Sequence, residues 1–123
     1  MTMNPVGWFE ISVMDMNRAK TFYEAVFGFE LTIGNVGGYD MAFFPSQREL
    51  PGATGALISG EGYSPSRTGT VVYFPVADIA ATLAKVEQSG GKTTLPKKSI
   101  GEHGFIAWFD DSEGNTVALH AMT

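Results

Sequence analysis

Glu10 and His120 are the two side chains of this chain best placed by type and position to move a proton. In Trp8-Phe9-Glu10-Ile11-Ser12-Val13, the residues Phe9, Ile11 and Val13 form an unbroken apolar set suited to packing. Strand alternation then projects Trp8, Glu10 and Ser12 from the opposite face. In Thr116-Val117-Ala118-Leu119-His120, Val117 and Leu119 pack, leaving Thr116, Ala118 and His120 on the other side. A carboxylate among aromatic neighbours can act as general acid or base, and an imidazole exchanges protons near neutral pH. Together they form a candidate proton-transfer pair, or two ligands of a non-standard metal site. The plainer role is a Glu10 bonded to a tyrosine or backbone group, and a His120 half-exposed at a strand end.

Other candidates surround this pair. The same alternation turns Val72, Phe74 and Val76 under a second helix and points Val71 and Tyr73 the other way. Trp8, Ser12, Tyr73 and Trp108 are candidate ligand-binding residues, with Met41 and Phe43 as further surfaces for stacking a flat molecule. Phe43 and Trp108 are ambiguous as to face. His103, between Gly101 and Gly104, is a candidate lid residue because flexible backbone flanks it. Lys97-Lys98 could hold an anion, although paired lysines at a strand end are usually solvated. The glycines of residues 34–38 lack the context and Lys-Ser/Thr of a phosphate loop, and no Gly-x-Ser-x-Gly elbow presents a nucleophile.

The elements that position these residues come as two copies. Shifted by 63 positions, Phe9, Val13, Asp15, Glu24 and Gly28 fall on Val72, Val76, Asp78, Glu87 and Gly91. Ala42-Phe43-Phe44 echoes Ala107-Trp108-Phe109, and Gly55-Ala56-Leu57-Ile58 echoes Val117-Ala118-Leu119-His120. Each copy opens with a β-branched and aromatic strand, residues 8–13 and 71–76. Asp15 and Asp78 are suited to cap the helices that follow. Ala19, Phe22, Tyr23 and Val26 make one apolar helical face, and Ile79, Leu83 and Val86 make the other. Gly28 and Gly90-Gly91 end the helices. Three strands follow in each copy, near 29–34, 39–44 and 54–59, and near 92–95, 105–109 and 116–121. Asn35-Val36-Gly37-Gly38 and the run from Asp111 to Asn115 supply turns. The loop 46–52, entered through Pro45, carries Pro51 and Arg48-Glu49, and residues 59–66 link the copies. The predicted class is α+β, two βαβββ modules at about 5–60 and 68–122 in one domain spanning 1–123.

Bulk properties exclude several functions. Hydrophobic residues at 44% and charged residues at 17% describe a chain able to bury a core rather than a disordered one. A net charge of -5 disfavours nucleic acid and anionic membranes as partners. No apolar run approaches the roughly 20 residues of a membrane span. Zero Cys removes disulfides, zinc-thiolate sites and cysteine nucleophiles, and fits a reducing cytoplasm. Met1-Thr2-Met3-Asn4-Pro5 shows no secretory signal.

The strand ending at Val13, then Asp15, Arg18-Ala19, Phe22-Tyr23 and Val26-Phe27-Gly28, with Phe109 to Asn115 closing, resembles the vicinal oxygen chelate superfamily. That superfamily contains glyoxalase I, bleomycin-resistance proteins and extradiol dioxygenases. Trp8-Phe9-Glu10-Ile11, Leu95-Pro96-Lys97 and Glu113-Gly114-Asn115 with Leu119-His120 look like its glyoxalase-like branch of unsettled substrate. The resemblance implies a half-barrel cleft with helices on the convex side, a homodimer, and a divalent metal held from four strands. Carried over by position, those metal ligands fall on Trp8, Ala56, Val71 and Ala118. None of the four offers an imidazole nitrogen or a carboxylate oxygen, so no metal or other cofactor is expected unless a non-standard site exists. The expected function is metal-independent binding of a small molecule in the cleft. The alternative is a lyase or isomerase using Glu10 with His120; a third reading is a dimer whose aromatic residues fill the cleft themselves.

Overall fold

The computed structural model describes residues 4–47 and 49–123; residues 1–3 and Arg48, which figured in the sequence reading, lie outside them. Module one runs β1 (Phe9–Ser12), α1 (Met16–Phe27), β2 (Thr32–Val36), β3 (Tyr39–Phe43) and β4 (Gly55–Ser59). Module two runs β5 (Tyr73–Pro75), α2 (Ile79–Gln88), β6 (Lys92–Ser99), β7 (Phe105–Asp110) and β8 (Thr116–Ala121), with a 3-10 turn at Gly101–His103. The expected βαβββ unit therefore occurs twice.

Both helices start as their caps predict. The Asp15 carboxylate accepts the Arg18 N–H at 3.0 Å, and Asp78 accepts the Ala81 N–H at 3.0 Å. Each satisfies a donor that the first helical turn leaves free. Helix α1 buries Ala19, Phe22, Tyr23 and Val26 and closes at Gly28, whose φ of 74° is the left-handed conformation glycine adopts without strain. Helix α2 buries Ile79, Thr82 and Val86 and ends at Ser89, just before the expected glycines. No helix among the described residues is long and apolar enough to cross a membrane.

Several strand boundaries depart from expectation. β2 begins later than residue 29 and extends through Val36, because the hairpin turns on two residues alone. Gly37 and Gly38 have φ of 61° and 88°, and Val36 pairs directly with Tyr39. Positive φ at both central positions is the hairpin turn whose twist matches the flanking strands. β6 continues through Pro96 to Ser99, twice its predicted length. It is the outer strand of its sheet, and its ladder to β7 shifts register on both sides of Leu95. An edge strand with bulges accepts a residue that cannot donate to a ladder. β1 and β5, each also an edge paired on one side only, are shorter than predicted.

The sheets have order β1-β4-β3-β2 and β5-β8-β7-β6, with β1 parallel to β4, β5 parallel to β8, and the remaining pairs antiparallel. Each packs one face on the helices and leaves the other open. Buried residues of both modules form one cluster that includes Ile11, Val13, Phe22, Tyr23, Phe74, Ile79, Phe109 and Leu119. Phe74 was expected beneath the second helix. Its ring instead packs among module-one rings, stacked on Phe27 at 4.6 Å and near Phe9, Phe44, Tyr23 and Phe29. Phe74, the middle residue of β5, thus meets the last residue of α1.

Candidate functional site

Cross-strand register organises the open face of each sheet around a buried alanine. In module one, Glu10 lies beside Ala56, and Ala56 lies opposite Phe43. Ala56 has 0% exposure, while Trp8, whose ring centroid is 6.2 Å from that of Phe43, remains 46% exposed. Met41, Ala56 and Ile58 form a buried floor against which Tyr39, Phe43 and Tyr63 pack. Both Glu10 oxygens are engaged, Oε2 by the Trp8 indole N–H at 3.3 Å and Oε1 by the Tyr63 hydroxyl at 3.2 Å. Tyr63 comes from the intermodule linker, returned to β1 by a turn in which its N–H bonds the Gly60 carbonyl at 3.2 Å. Burial, then the bonded Glu10 carboxylate, pushes the Tyr63 phenol above its ordinary value.

Module two repeats the arrangement with other polar groups. Tyr73 lies beside Ala118, and Ala118 lies opposite Trp108. Ala118 also has 0% exposure, and the Trp108 indole N–H donates to the Tyr73 hydroxyl at 3.1 Å, an aromatic pair spanning the alanine. His120, next on this face, bonds through Nε2 to the His103 carbonyl at 2.6 Å. A carbonyl only accepts, so Nε2 carries the hydrogen and Nδ1 is left as the basic nitrogen. The lid candidate His103 thus contributes its backbone to His120, while its own ring is exposed. Lys97 sits over the Phe105 ring at 4.5 Å.

The sequence-derived residues therefore separate into two groups. Trp8 and Glu10 come together in module one with Phe43 and Tyr63. Ser12 lines a groove of about 170 Å³ beside Glu10, walled by Ser64, Ser66, Thr68 and Thr70 of the linker and by Asn115 and Thr116. Tyr73 and Trp108 join in module two, where His120 meets His103. The bonds of Glu10 and His120 run to separate partners, and none joins the two. Tyr63 and Tyr39 were missed; the signal was an aromatic residue in an otherwise Gly/Ser/Pro-rich linker. A larger cavity of about 450 Å³ opens beside β5, between the loop after β3 and the rings of Phe9, Phe29, Phe44 and Phe74.

A polar clasp fixes the modules to one another. The buried Asp111 carboxylate accepts the Tyr23 hydroxyl at 2.6 Å, the N–H groups of Glu113 and Asn115 at 2.8 and 2.9 Å, and the Asn115 amide at 2.9 Å. Asn115 continues to the Ser12 carbonyl at 2.8 Å and accepts the Ser66 N–H at 2.9 Å. Glu113 accepts the N–H groups of Met14 and Asp15 at 2.9 Å and both nitrogens of an Arg18 fork, at 2.7 and 2.9 Å. Burial, with the Asp111 charge and hydrogen bond, raises the Tyr23 phenol well above its ordinary value. At Glu113 burial favours the neutral acid. The Arg18 bond, the backbone bonds and the Ser112 hydroxyl outweigh it and hold the carboxyl at about 2.

The low Glu113 value fixes the sign of a pH effect. A carboxyl depressed from 4.5 to about 2 contributes stability above pH 4.5 that disappears as pH falls toward 2. Glu113→Gln is expected to cost about 2 kcal/mol at neutral pH. The exposed side of the Arg18 pair is screened by solvent, which keeps its share small. The stability difference between parent and variant, read from urea unfolding, should shrink through that window. A difference that stays constant from neutral pH to pH 2 would show that Glu113 ionisation carries none of it.

The model of the Glyoxalase/Bleomycin resistance protein/Dioxygenase superfamily matches residues 6–119, nearly the whole described chain. The chain belongs to this superfamily. A glyoxylase-like domain-containing protein of Didymella fabae is 30% identical over 118 residues, covering 93% of this chain and 91% of that protein. Among solved structures, a glyoxylase/bleomycin resistance protein/dioxygenase domain from Frankia sp. EAN1pec superposes with a TM-score of 0.74 at 17% identity, covering 98% of each chain. A glyoxalase/bleomycin resistance protein from Albidiferax ferrireducens superposes at 0.71 with 19% identity, covering 96% of this chain and 99% of its own. Glyoxalase I from Zea mays, as its E144Q mutant, gives 0.71 at 22% identity, and this chain spans 47% of its length. At these identities the structural likenesses establish the fold.

The metal that the superfamily implies does not fit the residues present. Ala56 and Ala118 are fully buried, with Phe43 and Trp108 opposite them, and Trp8 and Val71 bring no donor that a divalent ion would accept. Among the described residues, no group of three or more His, Asp or Glu converges.

Proposed function

We propose that this member of the superfamily binds a small molecule without a metal, laying a flat ligand on the aromatic open faces of its sheets. The observation that carries the reading is the pair Ala56 and Ala118. At two of the four positions where the family resemblance places a metal donor, a fully buried methyl group stands opposite an aromatic ring, Phe43 or Trp108, instead. Rings with 46% and 44% exposure at Trp8 and Tyr73 offer stacking surface that water covers poorly. The lyase or isomerase alternative, using Glu10 with His120, takes second place, since each side chain is already engaged by its own partners. A homodimer in the cytoplasm is the setting we propose, from the resemblance and the absence of Cys.

The two Trp residues stand one on each face, so they act as separate reporters. A thermal-shift screen of planar aromatic compounds should yield hits that quench Trp8 or Trp108 saturably in single-tryptophan variants. Trp8→Ala or Tyr73→Ala should weaken the corresponding hit about tenfold, the loss of one stacking partner and its buried area. If no compound raises Tm or quenches either residue, the reading is wrong. Retention of stoichiometric zinc, nickel or iron after loading and desalting would overturn its metal-free part.

A further inference from the structure

We propose that the module-one face selects an organic cation, a flat ring system bearing a quaternary or otherwise positive nitrogen; this deepens the function proposed above and rests on it. An ionised carboxylate has about four acceptor positions. Glu10 uses two of them, both on neutral donors at 3.2 and 3.3 Å, beyond the usual optimum. Among the described residues no Lys or Arg lies within ion-pair distance of it; Arg18, Lys20 and Arg67 are engaged by Glu113, Glu24 and Asp110. The charge is therefore exposed and, among the described residues, has no cationic partner.

The surroundings of that charge are electron-rich ring faces. Trp8 and Phe43 stand at 54° to each other, while Tyr39 and Tyr63 meet edge to face at 77° with centroids 5.3 Å apart. A positive charge near aromatic faces is attracted by their quadrupoles. The indole N–H and phenol O–H both point their hydrogens at Glu10, which shifts electron density back into the rings and strengthens that attraction. A quaternary nitrogen has no N–H and a weakly held hydration shell, so ring contacts replace its water at little cost. An anionic ligand would meet Glu10 and a chain of net charge -5.

The second module supplies an internal contrast. The counterpart of Glu10 there is Tyr73, beside Ala118 as Glu10 is beside Ala56. Its hydroxyl accepts from Trp108, and the row carries no charge. The chain thus presents one acidic aromatic row and one uncharged aromatic row, built on the same register.

The test uses N-methylquinolinium and, at neutral pH, uncharged quinoline as probes of nearly equal shape. Affinities come from calorimetry, and single-tryptophan variants locate the site. N-methylquinolinium should bind at Trp8 at least tenfold more tightly than quinoline. Glu10→Gln, which keeps one oxygen to accept the Trp8 indole N–H and turns its amide N–H toward the Tyr63 hydroxyl oxygen, should bring the two probes within about twofold by weakening the cation alone. Equal affinities in the parent protein would overturn the cation proposal and leave the aromatic-binding function standing. A preference that survives Glu10→Gln would overturn the assignment to Glu10. If neither probe, nor any other planar compound, perturbs Trp8 or Trp108, the function and this inference fall together.

Discussion

Replacing Asp111 by alanine is expected to lower the unfolding free energy by about 3 kcal/mol or more, a large fraction of the roughly 5 to 15 kcal/mol that a domain holds in reserve. The carboxylate is buried and satisfies four donors at once: the Tyr23 hydroxyl, two backbone N–H groups and the Asn115 amide. Removing it strands those donors away from water, and each stranded group costs about 1 to 3 kcal/mol. Tyr23→Phe removes a single donor and should cost only about 1 to 2 kcal/mol. The order of the two losses is the discriminating result. Because Trp8 and Trp108 report separately on the modules, urea unfolding followed by each also tests what the clasp joins. In the parent the two transitions should coincide, and in Asp111→Ala they should separate as module two loosens from the β1–α1 junction. A loss below about 1 kcal/mol, with coincident transitions, would mean that hydrophobic contacts alone set the intermodule geometry.

Local signals in the sequence reached as far as local physics does. Asp15 and Asp78 cap because a carboxylate there meets free N–H groups within three residues, and the spacing of Ala19, Phe22, Tyr23 and Val26 suffices to define a buried face. The alanines at 56 and 118 were legible from the internal repeat. That aromatic residues would stand opposite them was not, because it depends on which residue of a neighbouring strand each pairs with. Phe43 and Trp108 could be assigned a face only once the registers to Ala56 and Ala118 were known. Tyr63 depends on a chain reversal at Gly60, far in sequence from Glu10. Asp111 and Glu113 read as turn residues, and they do form a turn. Their partners Tyr23 and Arg18 lie about ninety residues away, where no spacing rule operates. Pro96 misplaced a strand end because an edge position is a property of the sheet and not of the segment.

Phe74→Ala is the second large effect, with an expected loss of about 3 to 5 kcal/mol and a fall in Tm of about 10 °C or more. Phe74 is only 7% exposed, and its ring touches five module-one rings, so truncation leaves a cavity that several stiff aromatics would have to move together to fill. Phe74→Leu keeps most of the volume and should lose about half as much, which separates the cavity from any backbone effect. The consequence for the site follows from alternation. β5 has three residues, and Phe74 is the middle one, so its anchoring on the helix side is what holds Tyr73 on the open face against Trp108. Loosening it should broaden Trp108 emission and weaken ligands on the uncharged row. Ligands at Trp8 should lose less, because β1, although Phe9 packs on Phe74, is also held by β4 and by the clasp. If both faces lose affinity equally in Phe74→Leu, the two sheets respond as one unit, and the division into an acidic and an uncharged row would not extend to their energetics.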